Sequence, residues 1–295
     1  MFSGLKTQDA RLETEGRNIR HESCVLSLGS LFCVTALLVW LIAPRSVWAA
    51  EPPVRIWLPE GITTTSPAID HLFYLILWIT GGVFFLVQAT LLIFLVRYRQ
   101  RPGRVAAYTH GSSLAEIIWT VIPAIILVFL AFRSQHVWSS VRGTPPPEDL
   151  RIEVTAQQFA WNIHYPGPDQ LLGRTDPTLV DEATNPIGLD HQDPHAADDL
   201  VTVNQLHLPV DKIVLINLRS KDVIHSFFVP QFRMKLDAVP GLTGHLWVKA
   251  TKSGAYEIVC AELCGLGHYR MRGFLVVEPD AAFQAWWTQM VKEQG

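Results

Sequence analysis

Two long apolar segments constrain the fold of this chain more than any other feature. The first, residues 72–96, has 25 residues without one charged side chain. A helix of about 20 residues crosses the hydrocarbon core of a bilayer. The second, residues 111–132, carries a single acidic residue, Glu116. We therefore predict a two-helix transmembrane hairpin with spans at about 70–96 and 111–133.

The connection between the two segments determines the predicted orientation of the hairpin. It is short and carries four arginines, Arg97, Arg99, Arg101 and Arg104. Short arginine-rich loops remain on the cytoplasmic side, so both outer ends of the hairpin face outward. This predicts a multi-pass protein of the inner (cytoplasmic) membrane, in contact with lipid, with its C-terminal domain on the periplasmic side. The formal net charge of −3 provides no basic surface for nucleic acid, so we predict no nucleic-acid partner.

The first 50 residues have the organisation of a secretory signal peptide. The basic residues Arg17 and Arg20 precede an apolar stretch at 25–42, and a segment that ends in small residues follows it up to Ala50. The order of basic, apolar and small residues is typical of a cleaved leader, and we predict that residues 1–50 are a signal peptide that is removed. A retained membrane helix is the alternative, because the apolar stretch is long for a signal peptide. Residues 51–138 then form an N-terminal segment and the hairpin.

Beyond residue 138 the pattern changes to short segments rich in β-branched and aromatic residues. Pro, Gly and Asp separate them, as in strands joined by turns. The segments are 151–156, 159–165, 211–219, 244–250, 255–259 and 273–277. We predict an all-β sandwich domain over residues 139–280. A C-terminal helix is predicted at 281–295, where apolar residues recur at helical spacing.

One acidic stretch interrupts the predicted strands. Between residues 167 and 200 there are eight Asp and Glu residues and a single Arg174. A run of like charge is typical of a solvated, poorly ordered insertion. It is also typical of a docking surface for a basic partner, because charge attraction raises the rate of association. The two interpretations are compatible, and both stay open.

The segment 260–271, CAELCGLGHYRM, concentrates metal-binding side chains. Cys260, Cys264, His268 and Met271 offer sulfur and imidazole donors, which favour copper over magnesium or calcium. A structural zinc site would use four Cys or His ligands and no Met. A mononuclear blue-copper site would use one Cys with two His. Two thiolates can instead bridge two coppers, each completed by one histidine and one weak ligand.

That arrangement requires a second histidine from elsewhere in the β domain. His225 is one candidate among several, because it lies just after the predicted strand 211–219. The cysteine pair has two other interpretations. A disulfide between Cys260 and Cys264 does not explain the positions of His268 and Met271. A thioredoxin-like copper chaperone would need a βαβ domain, which the strand pattern does not support.

Together these features resemble subunit II of the haem–copper cytochrome c oxidases. The motif C-x-E-x-C-G-x-x-H-x-x-M is matched by Cys260, Glu262, Cys264, Gly265, His268 and Met271. Supporting similarity lies at 114–127, 222–230 and 234–241, and the whole resemblance covers about 69–277. It implies a cupredoxin-like sandwich that carries a binuclear copper A centre.

The resemblance also implies a role for each residue of the motif. Cys260 and Cys264 would be the bridging thiolates, and His225 and His268 the terminal ligands. Met271 and the backbone carbonyl of Glu262 would be the weak ligands. The Glu262 side chain would reach a magnesium or manganese ion shared with subunit I, and Asp237 would line the same interface.

Three further roles follow from the same resemblance. Glu116 would lie at the cytoplasmic mouth of a proton channel into subunit I. Phe159 and Trp161 would be the aromatic residues where electrons arrive, although the family usually has Trp where Phe159 stands. Leu242 replaces an Arg of the family, and Phe227 stands where Trp is common. These departures indicate an unusual subfamily.

The resemblance predicts the subunit through which electrons enter a terminal respiratory oxidase. It would accept them from cytochrome c and pass them to haem in subunit I, where oxygen is reduced to water and protons are translocated. Subunit I and subunit III would be its partners in the complex. Alternatives are a copper A subunit of a nitric oxide reductase of the same superfamily, and a membrane-tethered copper chaperone. A quinol oxidase subunit II would lack the copper ligands.

Overall fold

The computed structural model describes residues 57–105, 108 and 110–294. The predicted signal peptide, residues 1–50, lies outside this described part of the chain. The described residues form two long helices, a β-sandwich and a C-terminal helix.

The two apolar segments form helices α1, Ser66–Arg97, and α2, Ser113–Arg142. Both are long and apolar enough to cross a membrane, and their most apolar stretches have no residue buried within the protein. At 1.5 Å per residue, 30 or more residues extend over about 45 Å, so each helix continues beyond the hydrocarbon core. Helix α1 therefore begins before its predicted span, which started at about residue 70, and α2 continues past the end of its predicted span at about residue 133. The predicted transmembrane hairpin is confirmed.

The sandwich consists of two five-stranded sheets. The first has the order β3-β2-β1-β5-β8 and the second β4-β10-β9-β6-β7. The first sheet contains β1 Leu150–Gln157, β2 Ala160–Tyr165, β3 Leu200–Val203, β5 Ile213–Ser220 and β8 Gly244–Lys249. The second contains β4 Gln205–Pro209, β6 His225–Val229, β7 Met234–Ala238, β9 Gly254–Cys260 and β10 Arg272–Glu278.

Alternating residues of the two sheets form one core. Ile152 and Val154 of β1 meet Ile258 of β9 and Leu275 of β10 in a single cluster of buried side chains. Burying each such side chain contributes about 1.5–3 kcal/mol. The predicted all-β sandwich is confirmed. Four strands, β3, β4, β6 and β7, lie outside the segments predicted from the sequence, because each has only four or five residues and too few alternations to show a period.

The C-terminal helix α3, Asp280–Gln294, packs against β4 and β3, which are edge strands of the two sheets. Its Phe283 is buried in the main core. Trp286 stacks on His207 of β4 with ring centroids 3.9 Å apart and planes 6° from parallel. His207 is in turn held by Glu278, whose carboxylate lies 2.8 Å from the imidazole Nδ1.

The acidic insertion is more ordered than the sequence predicted. Its own aspartates accept backbone N–H bonds, for example Asp176 from Thr178 and Asp181 from Thr184, at 2.8 Å each. Asp199 makes a buried contact of 2.6 Å with His164 of β2. A small apolar cluster of Ile187, Leu189 and Ala196 lies beneath these turns. The expectation of a poorly ordered loop was wrong, because short-range aspartate turns and one buried pair replace regular secondary structure.

The segment before α1 joins the sandwich. Ile62 is buried, and its amide donates to the carbonyl of Gln231 at 3.0 Å while its carbonyl accepts from Thr251 at 2.7 Å. Thr63 forms an isolated β-bridge with Ala250. The chain on the N-terminal side of α1 therefore lies on the same side of the membrane as the sandwich, which agrees with the orientation that the arginine-rich loop predicts.

Candidate metal centre

The candidate site is built on the loop between β9 and β10. Cys260 is the last residue of β9, and its amide donates to the carbonyl of Met271, just before β10, at 3.2 Å. Gly265 has a φ of +132°, a conformation that favours glycine. A 3-10 turn at His268–Arg270 completes the loop, with the His268 amide donating to Gly265 at 3.1 Å. The fixed spacing of the motif thus reflects a closed turn between two paired strands.

Strand β6 brings the distant histidine to this loop. His225 is the first residue of β6, and Phe227 two residues later pairs with Cys260 of β9. The amide of Ala261 donates to the carbonyl of Ser226 at 3.0 Å, which holds the start of the loop against β6. His225 is 0% exposed. The fold therefore brings His225, which the resemblance implies as a ligand, next to the two cysteines.

The donor atoms form a continuous cluster. Cys260 Sγ lies 3.8 Å from Cys264 Sγ, 4.0 Å from His225 Nδ1 and 3.2 Å from the carbonyl oxygen of Glu262. Cys264 Sγ lies 3.7 Å from His268 Nδ1 and 3.7 Å from Met271 Sδ. Ligands bound tetrahedrally at about 2.0–2.3 Å from a metal are roughly 3.3–3.8 Å from each other. The spacing and the soft chemistry of this set fit metal binding.

Both cysteines within the described residues, Cys260 and Cys264, are free thiols. Burial, followed by the neighbouring Cys260, raises the pKa of Cys264 to about 11. In the absence of a metal this thiol is therefore protonated at neutral pH. A cation that binds here must displace protons, which makes its affinity dependent on pH.

Asp222 holds the imidazole of His225 from behind. Its Oδ1 lies 2.8 Å from His225 Nε2, and its Oδ2 accepts from the Gln158 amide at 2.7 Å. Burial by itself would raise the pKa of Asp222, but the hydrogen bonds from His225, Gln158 and Val223 outweigh it and lower the pKa. The carboxylate is thus ionised at neutral pH and directs Nδ1 of His225 towards the thiols.

The two predicted aromatic residues occupy different environments. Phe159 is half-buried against the ligand loop, where a Cβ added to Gly267 would come within 2.4 Å of its ring. Trp161 is 0% exposed, with its ring centroid 6.2 Å from that of His225. Phe159 therefore lies closer to the surface, and Trp161 lies beneath the candidate site.

Two predicted acidic side chains lie near the same end of the sandwich, and a third lies far from it. The Glu262 carboxylate is exposed, while its carbonyl oxygen belongs to the donor cluster. Asp237 is exposed on β7 and accepts from Ser226 Oγ at 2.7 Å. Glu116 lies in the first turn of α2, at the arginine-rich end of the hairpin. That is the end opposite to the sandwich.

Several residues at the site were not found from the sequence. Asp222 precedes His225 by three positions, and this spacing was a signal that could have revealed it. The Gln158 side chain donates to the Cys264 carbonyl, a contact that no local pattern indicates. Three side chains of the ligand loop project into solvent with 77%, 97% and 85% of their surface exposed: Leu263, Leu266 and Tyr269.

A β-sandwich carried on a membrane hairpin, with thiol, imidazole and thioether groups clustered at one end, defines a class of membrane-anchored, cupredoxin-like proteins. Comparison with known families makes this more specific. Residues 150–278 match the family described as cytochrome C oxidase subunit II, periplasmic domain, and residues 52–137 match its transmembrane domain. The chain belongs to the cytochrome c oxidase subunit II family.

Individual relatives are similar over most of their length. The alternative cytochrome c oxidase subunit 2 of Bradyrhizobium diazoefficiens is 36% identical over 255 residues, or 86% of this chain and 91% of that protein. Cytochrome c oxidase subunit 2 of Thermostichus vulcanus is 34% identical over 280 residues, or 82% and 85%. The crystal structure of the periplasmic domain of cytochrome oxidase subunit II from Bradyrhizobium japonicum is similar at 30% identity. It covers 51% of this chain and 99% of that one, with a TM-score of 0.38.

Proposed function

We propose that this chain is the subunit through which electrons enter a terminal respiratory oxidase, and that its sandwich holds a binuclear copper A centre. The observation that carries the proposal is the donor cluster. Two thiols stand 3.8 Å apart, and each has an imidazole Nδ1 within 4.0 Å. The Glu262 carbonyl beside one thiol and the Met271 thioether beside the other complete a pairwise set.

The proposed roles follow from this arrangement. Cys260 and Cys264 would bridge the metal pair, His225 and His268 would be the terminal ligands, and Met271 and the Glu262 carbonyl would be the weak ligands. Bound copper of this kind supplies reversible one-electron chemistry. The chain contributes a rigid site, because the ligands belong to the paired strands β6 and β9 and to the loop that joins β9 to its other partner, β10. It also excludes water, since His225, Cys264 and Met271 are buried.

The proposed partners are those of a cytochrome c oxidase complex in the inner membrane. The relatives that this chain matches are named as cytochrome c oxidase subunit 2. By analogy, cytochrome c is the electron donor, and haem in subunit I is the acceptor that reduces oxygen to water. Subunit III would complete the complex. We place the arrival of electrons at Phe159, which contacts the ligand loop and lies nearer the surface than Trp161.

Two acidic residues would connect this subunit to subunit I. The exposed Glu262 carboxylate is available to a magnesium or manganese ion at the shared interface. Asp237 lies near it, because Ser226 contacts both Asp237 and the start of the ligand loop. Glu116, at the cytoplasmic end of α2, is proposed to lie at the mouth of a proton channel.

Copper content and electron paramagnetic resonance of the detergent-solubilised chain test the copper centre. We expect two coppers per chain and one unpaired electron shared between them. Cys264→Ser should abolish the shared-electron signal because one bridge is lost, and His268→Asn should perturb it. His245→Asn is the matched control, since His245 is exposed on β8 and contacts Asn217. One copper per chain, or a signal that Cys264→Ser leaves unchanged, would contradict the proposal.

A further inference from the structure

Arg233 connects the strand that carries His225 to the membrane hairpin. It lies in the turn between β6 and β7, where its φ of +62° places it in the left-handed region. Its Nε donates to Asp70 Oδ1 at 2.6 Å, and its Nη2 donates to Asp70 Oδ2 at 3.2 Å. Asp70 belongs to the second turn of α1. The ion pair therefore links the sandwich directly to a membrane helix.

The same guanidinium makes two further contacts. Nη1 donates to the carbonyl of Pro230 at 2.8 Å, and Nη2 also donates to the carbonyl of Pro59 in the segment before α1. The Arg233 side chain is 8% exposed, and that of Asp70 is 27% exposed. A two-pronged, partly buried pair of this kind has a defined geometry, unlike a solvated ion pair. Arg233 thus fixes three elements relative to one another: the β6–β7 turn, the segment before α1, and α1 itself.

Strands β6 and β7 connect the turn that contains Arg233 to the candidate metal centre. Strand β6 runs from Val229 beside the turn to His225 at the site, four residue steps or about 13 Å at 3.3 Å per step. Strand β7 pairs with β6 along its whole length, from Met234 opposite Val229 to Ala238 opposite His225. A two-stranded ribbon, paired on its other side with β9 at Cys260, is a stiff connection.

We propose that the Arg233–Asp70 pair is a positioning device that sets the height and tilt of the metal centre above the membrane hairpin, and thereby its distance to the electron acceptor in the membrane. The inference rests on the proposed electron-transfer function. Electron transfer between fixed centres weakens steeply with their separation. A loosened pair would therefore slow the step that leaves this subunit, while the centre itself and the step that reduces it would be unaffected.

The test uses the assembled oxidase complex with Asp70→Asn or Arg233→Lys. Lys keeps the positive charge but loses the planar fork. Two rates are followed after mixing with reduced cytochrome c: reduction of the copper centre, and the subsequent reduction of haem. The second rate should fall measurably below that of the unmodified complex, because electron transfer weakens steeply as the two centres move apart. The first rate and the copper resonance signal should stay as in the unmodified complex. Asp70→Glu, which keeps the carboxylate, should recover part of the lost rate.

The chain offers a matched control in the Lys252–Glu60 ion pair. It also joins the segment before α1 to the sandwich, but its side chains are 51% and 57% exposed. Lys252→Gln should leave both rates unchanged. The proposal is overturned if haem reduction keeps its rate in both Arg233→Lys and Asp70→Asn. It is also overturned if these variants lose the copper signal or fail to assemble, because the pair is then structural only. If the unmodified complex lacks a two-copper signal, the proposed function itself fails.

Discussion

Asp222 determines how the imidazole of His225 is presented to the thiols. Its carboxylate is 2.8 Å from Nε2 of that ring, so Nδ1 remains available on the opposite side. Hydrogen-bond partners behind a metal ligand fix the ring orientation and raise its basicity, and their loss typically costs 10- to 100-fold in metal affinity. Although burial opposes it, the hydrogen bonds from His225, Gln158 and Val223 lower the pKa of Asp222, so its carboxyl group is ionised at neutral pH.

We predict that Asp222→Asn weakens metal binding without unfolding the domain. Asn keeps an acceptor for the Gln158 amide but removes the negative charge behind His225. Copper retention, measured by competition with a chelator, should fall by about 10- to 100-fold. Asp211→Asn is the control, because Asp211 is an exposed turn residue between β4 and β5. Equal copper retention by the two variants would show that Asp222 has no role in holding the site.

The sequence predicted the local part of this site and missed the part that depends on the fold. Cys260, Cys264 and His268 lie within nine positions of one another, so their spacing was visible in the chain itself. His225 lies 35 residues from Cys260, and it was selected by family resemblance, because periodicity says nothing about which loops meet. The burial of Trp161 depends on the packing of two sheets, which no pattern around that residue could reveal.

At the scale of elements, the acidic insertion shows how a loop can be organised without an α-helix or a β-strand, by aspartate turns and two short 3-10 helices. Asp176, Asp181 and Asp193 each accept backbone N–H bonds within the insertion. Hydrogen bonds from Thr178 and Thr184 lower the pKa values of Asp176 and Asp181, and backbone bonds from Arg174 and His195 lower that of Asp193. These carboxylates keep their negative charge, so the interpretation of the insertion as a docking surface for a basic partner stays a prediction.

We predict that the insertion opens in acid before the sandwich does. A lowered folded-state pKa stabilises the insertion above the ordinary aspartate pKa of about 3.9, and this contribution is lost as pH falls through the lowered values. The protection of the amides of Thr178, Thr184 and His195 against hydrogen exchange, measured relative to their intrinsic exchange rates, should fall below about pH 4. The amides of Ile216 and Ile258 in the core strands serve as the reference. Protection that persists to pH 2, or is lost first in the strands, would contradict this interpretation.

The strands themselves were only partly predictable. Long strands such as β1 and β5 have clear β-branched composition, whereas β6 has five residues and begins with the polar pair His225 and Ser226. Strand β1 pairs with β5 in parallel, and β10 pairs with β4 in parallel. Parallel neighbours are joined by long connections, so the order of the sheets could not be inferred from hairpins between successive segments.

At the scale of the whole molecule, the hairpin and the sandwich have a defined relation to the membrane. The segment before α1 and the sandwich contact each other, so both outer ends of the hairpin lie on one side. The arginine-rich loop between α1 and α2 lies on the other side. The family model that matches the β domain describes it as periplasmic, which indicates that the sandwich lies on the periplasmic side.

We predict that the two sides differ in their accessibility to a membrane-impermeant maleimide. In spheroplasts, Ser253→Cys in the exposed β8–β9 turn should be labelled directly. Gly103→Cys in the arginine-rich loop should be labelled only after the membrane is permeabilised, because short arginine-rich loops stay inside. The unmodified chain measures the background from its native cysteines. Labelling of Gly103→Cys in intact spheroplasts would reverse the orientation.

The bridge between Ile62 and the sandwich has a consequence for the order in which the protein is made. Ile62 emerges from the ribosome 189 residues before its partner Thr251. At roughly 5–20 residues per second, it waits on the order of ten seconds or more for the strands that will cover it. During that interval α1 and α2 must be inserted into the membrane, and the chain that follows α2 must reach the side on which Ile62 lies. Only a nascent chain that has crossed the membrane twice can bury Ile62, so completion of the sandwich reports correct insertion.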